Sequence, residues 1–256
     1  MSIHPTAVIA PTAELAEDVT VGPFAIVEED VVIGTGTVIE SHAVIHSGTR
    51  LGAQCRVYHG ASVGGRPQDL KYAEEQTYLE VGDRTQIREF ATLHRGTTDA
   101  VTTRIGSDCL LMAYVHVAHD CQIGDHVILS NAVNLAGHCR IEDWVIIGGM
   151  VPVHQFVHIG QHAFIGGGVR VTRDVPPFIL AAGEPLKYTG LNRVGLERRG
   201  FSTERREVIK NCYRKIYSAS LNVSQAVQAV QDQFGGDEDA RLILDFIQHA
   251  ERGIIP

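Results

Sequence analysis

Branched aliphatic residues recur at every sixth position along the first two thirds of the chain. The spacing starts at Ile3 and ends at Val171, with two interruptions and no change of phase. All 26 positions in this phase are Ile, Leu or Val, and agreement at so many positions excludes a chance pattern. The positions are Ile3, Ile9, Leu15, Val21, Val27, Ile33, Ile39, Ile45, Leu51, Val57, Val63, Val81, Ile87, Leu93, Ile105, Leu111, Val117, Ile123, Leu129, Leu135, Ile141, Ile147, Val153, Ile159, Ile165 and Val171.

The period of six predicts a coil of short parallel strands. It matches neither the 3.6-residue period of a helix nor the two-residue alternation of an ordinary strand. A short strand and a turn, repeated on three sides, close a triangular coil of about 18 residues, and successive coils stack at about 4.8 Å. Hexads are typical of parallel β-helices. The slot four residues after each aliphatic holds small residues, including four cysteines that we interpret as packing residues: Cys55, Cys109, Cys121 and Cys139.

Two interruptions predict loops that leave the coil and return, which we call excursions. They lie near 65–78 and 95–104, where aliphatic residues are missing from the expected positions. Loops on a rigid scaffold often carry function. After Val171 paired prolines end the repeat, and helical patterns follow, starting at an N-cap at Ser202, near Ser224, and within DEDARLILDFIQHAER. We therefore predict a mainly β protein, with a parallel β-helix over 1–177 and a small α-helical C-terminal domain over 178–256.

Composition and charge exclude several classes of function. The chain has 22 basic and 30 acidic residues and a net charge of −8, which argues against a general nucleic-acid binder. The N-terminus lacks the pattern of a secretory signal, and no apolar run approaches the roughly 18 residues that cross a bilayer. The five cysteines include no close pair, which fits a reducing compartment. We expect a cytoplasmic protein with no membrane span and no nucleic-acid partner.

Four histidines fall in one column of the predicted coil. When three hexads make one coil, the column holds His116 and His119, then Gly137 and His138, then His154 and Gln155. Three interpretations compete: exposed turn histidines without a role, a zinc site, and general-base catalysis. The alignment of four imidazoles beside a small residue disfavours the first. Zinc is disfavoured because no carboxylate or cysteine completes an obvious tetrahedral set.

Short strings along the chain are more specific than the repeat. They are MAYVHVAHDCQIGD, NLAGHCRIEDW, IIGGMVPVHQF, QDLKY, TLHRG and GLERRGFS. In this order they resemble the UDP-N-acetylglucosamine O-acyltransferase family of hexapeptide-repeat enzymes, over essentially the whole chain. The resemblance implies a left-handed β-helix and transfer of a 3-hydroxyacyl chain from acyl carrier protein to the 3-hydroxyl of UDP-N-acetylglucosamine, which begins lipid A synthesis. It also implies a homotrimer with shared sites, and neither a cofactor nor a metal.

The resemblance also assigns roles to residues. His119 would be the general base, supported by Asp120, and the Gly137 N–H would stabilise the oxyanion. Gly167 falls where the family limits acyl-chain length, and a glycine there leaves room for a long chain. Val194 stands where the family commonly has Glu, so one nucleotide contact is in doubt. The substrate-binding residues would be Asp69, Lys71, His116, His138, His154, Gln155, Asn192, Arg198 and Arg199.

Some alternatives stay open at this point. The basic start of the tail, which includes Arg205 and Arg206, fits either a solvated helix face or a docking surface for the acidic carrier protein. A zinc hydro-lyase of the carbonic anhydrase type could use the same coil, and a silent scaffold could bind partners through its tail. An acyltransferase acting on a 3-amino UDP-sugar is a further alternative.

Overall fold

The computed structural model describes residues 1–256 and contains 27 strands and four helices. In chain order the strands are β1 Ser2–Ile3, β2 Val8–Ile9, β3 Glu14–Leu15, β4 Thr20–Val21, β5 Ile26–Val27, β6 Val32–Ile33, β7 Val38–Ile39, β8 Val44–Ile45, β9 Thr49–Leu51, β10 Arg56–Val57, β11 Ser62–Gly65, β12 Tyr78–Val81, β13 Gln86–Ile87, β14 Thr92–His94, β15 Thr102–Ile105, β16 Leu110–Leu111, β17 His116–Val117, β18 Gln122–Ile123, β19 Ile128–Leu129, β20 Asn134–Leu135, β21 Arg140–Ile141, β22 Ile146–Ile147, β23 Pro152–Val153, β24 His158–Ile159, β25 Phe164–Ile165, β26 Ile179–Ala182 and β27 Lys187–Leu191.

Strands that lie one coil apart pair in parallel and build three sheets. Sheet A holds eleven strands from β1 to β27, and sheets B and C hold eight each, starting at β2 and β3. Thr20 pairs with Val38, three hexads further along the chain, which is the register that the repeat predicts. The hexad aliphatics fill the axis, and all of them are buried except Ile3, Ile9 and Leu15 at the open N-terminal end. The predicted left-handed parallel β-helix is confirmed.

Both excursions are insertions that keep the phase of the repeat. Arg56 pairs with Gln86 and Gln86 pairs with Leu110, so these partners lie five and four hexads apart instead of three. The additional residues follow β11 and β14, so both excursions leave the coil between sheet B and sheet C. Because each insertion is a whole number of hexads, every aliphatic after it returns to the axis.

From Phe24 onward, most corners of the coil place one residue in the left-handed backbone region. These residues recur every sixth position, and many are not glycine, for example Phe24 and His42 with φ of 58° and 59°. A non-glycine residue there costs roughly 1–2 kcal/mol, and the coils stacked against it hold it in place. Asp120 and His138 both occupy this corner position, each with φ of 60°.

The corners align into three edges, which we name by the sheets that they join. Edge AB follows the strands of sheet A, edge BC those of sheet B, and edge CA those of sheet C. The predicted histidine column and both excursions lie on edge BC, because each follows a strand of sheet B.

The C-terminal region begins with strands rather than helices. β26 lies parallel to β25 and extends sheet A, and β27 returns antiparallel to it. The segment 178–256, which we expected to be helical, therefore shares a sheet with the coil, because the apolar residues Ile179 and Ala181 are buried at its end. The helices begin later and are α1 Arg193–Arg198, α2 Thr203–Ile216, α3 Val223–Phe234 and α4 Glu238–Gln248.

The helix boundaries agree with the sequence for three of the four helices. Ser202 is the N-cap of α2, as predicted, and accepts a hydrogen bond from the Arg205 N–H. α3 begins one residue before Ser224, with Asn222 as its cap. α1 was not predicted. No helix combines the length and the apolar character that crossing a bilayer requires.

The tail is fixed to the end of the coil by buried polar contacts. The hydroxyl of Tyr213, which is fully buried, donates to the Pro177 carbonyl at 2.6 Å. The buried carboxylate of Asp174 accepts hydrogen bonds from the N–H groups of His158 and Arg252. These contacts place the residues before α2 against edge CA, where the tail meets the predicted nucleotide-binding residues.

Candidate active site

The most concentrated chemistry in the structure lies on edge BC, at His119 and Asp120. These residues follow β17, and the next coil places Gly137 and His138 after β20. Nδ1 of His119 and Oδ2 of Asp120 are 2.8 Å apart. Both residues are buried. Because the carboxylate oxygen accepts a hydrogen bond from Nδ1–H, Nε2 of His119 is the nitrogen left to accept a proton.

Asp120 is held by the second excursion. Its Oδ1 accepts from the Thr97 N–H at 2.8 Å, and its Oδ2 accepts from the Thr97 hydroxyl at 2.6 Å. Burial alone would raise the pKa of Asp120, but hydrogen bonds from the Thr97 hydroxyl, His119 and the Thr97 N–H outweigh it and lower the pKa below its usual value. Asp120 is therefore a carboxylate at neutral pH. The sequence did not single out Thr97, since excursion residues have no place in the repeat.

Gly137 lies directly over the His119 ring. A Cβ added to Gly137 would be 2.7 Å from Cε1 and 2.8 Å from Nε2 of His119. Any larger residue would displace the imidazole from Asp120. The Gly137 N–H donates to no acceptor within the protein, so it is free to donate to an oxygen bound beside Nε2.

Two further imidazoles lie on the N-terminal side of His119. The rings of His94 and His116 are 4.9 Å apart and perpendicular, and Nδ1 of His116 is 2.8 Å from the Thr92 hydroxyl. Burial, together with the neighbouring imidazoles, lowers the pKa of His94 to about 4 and lowers that of His116 below its usual value. Both rings are therefore neutral at pH 7. His94 was present in the TLHRG string but had received no role.

The remaining members of the column continue in the C-terminal direction. The ring of His138 stacks on Phe156 at 4.7 Å between centroids and is perpendicular to His119 at 5.2 Å. His154 is exposed, and its Nδ1 is 3.1 Å from the Gln155 carbonyl oxygen. The predicted column is thus present over three coils, with His138 as its central ring.

A possible three-ligand metal set also occurs here, and it includes a carboxylate, although the sequence argument found no obvious tetrahedral set. Ligand atoms of His119, Asp120 and His138 all lie within 4.8 Å of one another. Nε2 of His138 is 3.6 Å from Oδ2 of Asp120 and 3.8 Å from Oδ2 of Asp99. Asp120 is, however, already the acceptor for Thr97 and His119, so this cluster satisfies its own hydrogen bonds.

Asp69 and Lys71 lie on the first excursion, apart from the histidine column. The Asp69 carboxylate accepts from the Lys71 N–H at 2.9 Å, which closes a local turn. The Lys71 side chain is exposed, and neither side chain contacts the column through a hydrogen bond or an ion pair. Arg95 anchors the excursion through a hydrogen bond to the Tyr72 hydroxyl at 3.1 Å.

The predicted nucleotide-binding residues lie on a different edge. The guanidinium of Arg199 is 5.0 Å from the centre of the Trp144 ring, on edge CA, and one of its nitrogens is 3.2 Å from Nδ1 of His162. Burial lowers the pKa of Arg199. Arg198 is exposed at the end of α1.

Asn192 is committed to the fold of the same region. Its Nδ2 donates to the His162 carbonyl, and its Oδ1 accepts from the Gly195 N–H and caps α1. It is buried, whereas Val194 is 60% exposed. Asn192 therefore positions α1, which carries Arg198.

Gly167 lies on the third edge, AB, after β25. It is exposed, and a Cβ there would approach the Gly149 carbonyl oxygen at 3.1 Å. The predicted site residues thus separate into three groups, with His119 on edge BC, Arg199 on edge CA and Gly167 on edge AB. One chain does not bring these groups together.

Two arginines at the start of the basic tail form ion pairs within the chain, which the sequence did not indicate. Arg205 makes a two-pronged ion pair with the buried Asp239 of α4, at 2.7 and 2.8 Å. Arg206 pairs with Glu197 at 3.2 Å. These two ion pairs join helices of the tail, so both arginines already have acidic partners within the chain.

Comparison with known proteins gives a consistent result along the chain. The family described as "Udp N-acetylglucosamine O-acyltransferase; Domain 2" matches residues 174–255, and "Bacterial transferase hexapeptide (six repeats)" matches residues 12–47 and 102–134. Acyl-[acyl-carrier-protein]–UDP-N-acetylglucosamine O-acyltransferases of Ralstonia nicotianae and Stenotrophomonas maltophilia are 54% and 48% identical, each over 99% of this chain and 97% of the relative. The crystal structure of UDP-N-acetylglucosamine O-acyltransferase from Moraxella catarrhalis superposes with a TM-score of 0.97, at 41% identity and full coverage of both chains.

The close approach of Gly137 to His119 predicts an energetic coupling between the two positions. Gly137→Ala should lower the free energy of unfolding by about 1–3 kcal/mol, because the new methyl group overlaps a ring that Asp120 holds in place. In a His119→Ala background the same substitution should cost much less, since the overlapping ring is absent. Denaturant unfolding of the four proteins of this cycle measures the coupling.

Gly236→Ala serves as the control, because a Cβ at Gly236 meets no atom within 4 Å. Equal costs of Gly137→Ala in both backgrounds would contradict the proposed stacking of Gly137 on the imidazole.

Proposed function

Because the chain belongs to the UDP-N-acetylglucosamine O-acyltransferase family, we propose that His119, Asp120 and Gly137 on edge BC are its catalytic centre. The enzyme transfers a 3-hydroxyacyl chain from acyl carrier protein to the 3-hydroxyl of UDP-N-acetylglucosamine, the first step of lipid A biosynthesis. The relatives are named O-acyltransferases, and neither a zinc hydro-lyase nor a 3-amino sugar acceptor has support among them.

The reaction needs one base and one oxyanion donor. Nε2 of His119 removes the proton from the sugar 3-hydroxyl while the oxygen attacks the thioester carbonyl carbon. The Gly137 N–H donates to the carbonyl oxygen as it gains negative charge. When the intermediate collapses, the carbon–sulfur bond breaks and the imidazolium of His119 returns the proton to the thiolate of the carrier. A positioned base of this type contributes roughly 10²–10⁴-fold.

Asp120 supports both the removal of the proton by His119 and its return to the thiolate. Its carboxylate accepts from Nδ1–H of His119 at 2.8 Å, which orients the ring and stabilises the imidazolium while the proton is held. The low pKa of Asp120 keeps the carboxylate charged throughout. The hydrogen bond between His119 and Asp120, which lies beneath Gly137, is the observation that carries the proposal.

Other residues would orient the two substrates. His116, His138, His154 and Gln155 follow edge BC on both sides of the base, and Asp69 and Lys71 of the first excursion would contact the sugar and acyl region. Arg198 and Arg199 would bind the diphosphate, for which the planar guanidinium is suited. Asn192 would act on the nucleotide mainly through α1, which it caps. Val194 places an exposed apolar side chain where the family commonly has Glu. One acidic contact with the nucleotide would therefore be missing.

We propose a homotrimer with each site between two chains. The groups that must act together lie on three different edges of the prism that one chain forms, and a convex prism cannot bring its own edges to one substrate. Edge AB also exposes a column of apolar side chains, with Phe24, Phe90, Tyr114 and Met150 between 44% and 69% exposed. A neighbouring coil would cover such a surface and supply the missing groups.

We place the reaction in the cytoplasm, where nucleotide sugars and acyl carrier proteins are found. All five cysteines are unpaired and buried, which is compatible with a reducing compartment. Fractionation of cells that produce the tagged protein would test this location.

His119→Ala should reduce acyl transfer by at least about 10²-fold, because the proton acceptor is lost. The measurement is product formation by mass spectrometry from a panel of 3-hydroxyacyl carrier proteins and UDP-N-acetylglucosamine. The control is His4→Ala, which removes an exposed imidazole at the open N-terminal end of the coil and should leave turnover close to wild type. A fully active His119→Ala enzyme would refute the assignment of the base.

Gly167→Met should shift the preference of the enzyme toward shorter acyl donors. A methionine side chain at this exposed corner would fill the space that glycine leaves beside Gly149. The same donor panel measures the preference, as the ratio of kcat/KM between long and short chains. An unchanged ratio would show that the acyl groove ends elsewhere.

If each site is shared between two chains, mixed trimers of two variants that are inactive alone should recover acyl transfer. His119→Ala and Arg199→Ala damage different edges, so a mixed trimer contains interfaces in which both residues are intact. Random assembly at equal amounts gives intact sites at about one quarter of all interfaces, and at about one third of the interfaces in trimers that contain both variants. Co-expression with two affinity tags, followed by tandem purification and assay, measures the recovery. No recovery in verified mixed trimers would mean that both residues act within one chain.

A further inference from the structure

The second excursion makes its most specific contact with the catalytic carboxylate. Thr97 is buried, and both its N–H and its hydroxyl donate to Asp120, one to each carboxylate oxygen. These two bonds fix the carboxylate plane as well as its position. The excursion is the inserted hexad between sheets B and C, so the insertion brings Thr97 to the site.

The insertion also changes the backbone contact of Asp120. At most other corners the N–H of the left-handed residue donates to a carbonyl of the preceding coil, as His138 does to His119 at 3.1 Å and Trp144 does to Asp125 at 2.9 Å. At Asp120 the N–H donates instead to the Thr103 hydroxyl at 2.8 Å. The excursion therefore replaces the regular turn contact with side chains directed at Asp120.

The excursion is folded around Thr97 by its own hydrogen bonds. The Thr97 carbonyl accepts from the Val101 N–H at 2.8 Å, and the Thr97 hydroxyl oxygen accepts from the Asp99 N–H at 3.3 Å. Gly96 allows the close return of the chain, since a Cβ there would lie 2.6 Å from the Val101 carbonyl. Thr97 is thus held at a defined place rather than on a loose loop.

Asp120 has two imidazoles within reach, and only one of them is the proposed base. Oδ2 is 2.8 Å from Nδ1 of His119 and 3.6 Å from Nε2 of His138. A carboxylate free to rotate could exchange the first partner for the second, and His119 would lose its orientation. Thr97 blocks this rotation, because rotation would break both of its hydrogen bonds.

We propose that Thr97 is a positioning residue for the transfer reaction, which holds the Asp120 carboxylate on His119 rather than on His138. The proposal rests on the proposed role of His119 as base. Thr97 does not touch the reacting atoms and acts through Asp120. The inserted hexad is, on this view, the part of the fold that converts a corner of the repeat into a catalytic pair.

The charge state of Asp120 gives the proposal a second consequence. The titratable groups that surround Asp120 are His119, His138 and Cys121, with Asp99 beyond His138. Among the contributions that lower the pKa of Asp120, the hydroxyl of Thr97 is the largest, and burial opposes it. Removal of the hydroxyl should raise the pKa of Asp120. The carboxylate would then be lost at a higher pH as the solution is acidified.

The test compares Thr97→Val, which removes only the hydroxyl, with Thr97→Ser, which keeps it. Thr97→Val should lower kcat by roughly 10- to 100-fold, the usual effect of removing a group that orients a catalytic residue. KM for UDP-N-acetylglucosamine should stay within about twofold, and the acid side of the pH profile of kcat should move to higher pH. Thr97→Ser should restore both kcat and the profile to near wild type.

A matched control is Thr85→Val. Thr85 is also buried, and its hydroxyl donates to the Gly106 carbonyl at 2.8 Å on edge CA, away from the site. This variant should lose stability without a change in kcat or in the pH profile. If Thr97→Val behaves in the same way, with only its melting temperature lowered, Thr97 is a structural residue and the proposal is wrong.

The result can be separated from a failure of the proposed catalytic centre by including His119→Ala in the series. An inactive His119→Ala with a wild-type Thr97→Val would overturn the positioning role alone. A fully active His119→Ala would overturn the catalytic assignment, and with it the reason for positioning Asp120. A failure of Thr97→Ser to rescue kcat would also count against the hydroxyl as the acting group.

Discussion

Closure of the coil after three hexads is the constraint on which the rest of the structure depends. Each coil must return the chain to the same three corners, so the hydrogen bonds between coils fix the register of every residue. Side chains that are far apart in sequence then stack at one-coil spacing. The contact between Gly137 and His119 follows from this register and from nothing else in the local sequence. On such a scaffold, the position of a side chain in the repeat therefore decides which residues it contacts.

The period of the repeat also explains which features could be predicted from the sequence. The axis residues, the histidine column and the stacking of Gly137 on His119 all belong to the phase of the repeat, and each is found where the count places it. Residues outside the phase carry no such signal. Thr97 lies on an excursion and Asn192 at a helix cap, and only the folded chain shows what they contact. The ion pair of Arg205 with Asp239 joins two helices whose packing no periodicity specifies.

The departures from the repeat coincide with the proposed catalytic centre for a physical reason. Within a regular coil most backbone groups are paired with a neighbouring coil, and the side chains are either in the axis or on an outer face. Such a surface offers few groups that converge on one point. An insertion of one hexad keeps the axis intact and adds a loop whose donors can turn back toward a corner. At Asp120 this loop supplies two donors to one buried carboxylate, which a flat face of the prism could not do.

The shape of the prism also limits what one chain can bind. Its corners are convex, and the groups expected to act on one substrate lie on three of them, at His119, Arg199 and Gly167. A nucleotide sugar bearing a long acyl chain needs a concave site that excludes water over much of its length. Two prisms side by side form a cleft where one prism alone has only a ridge, and the exposed apolar corners of edge AB give a neighbouring prism a surface to cover. Assembly in the proposed trimer would therefore bring the proposed base, the arginines proposed to bind the diphosphate and the glycine proposed to limit the acyl chain to one substrate, whereas folding of the single chain assembles only the proposed base with its carboxylate.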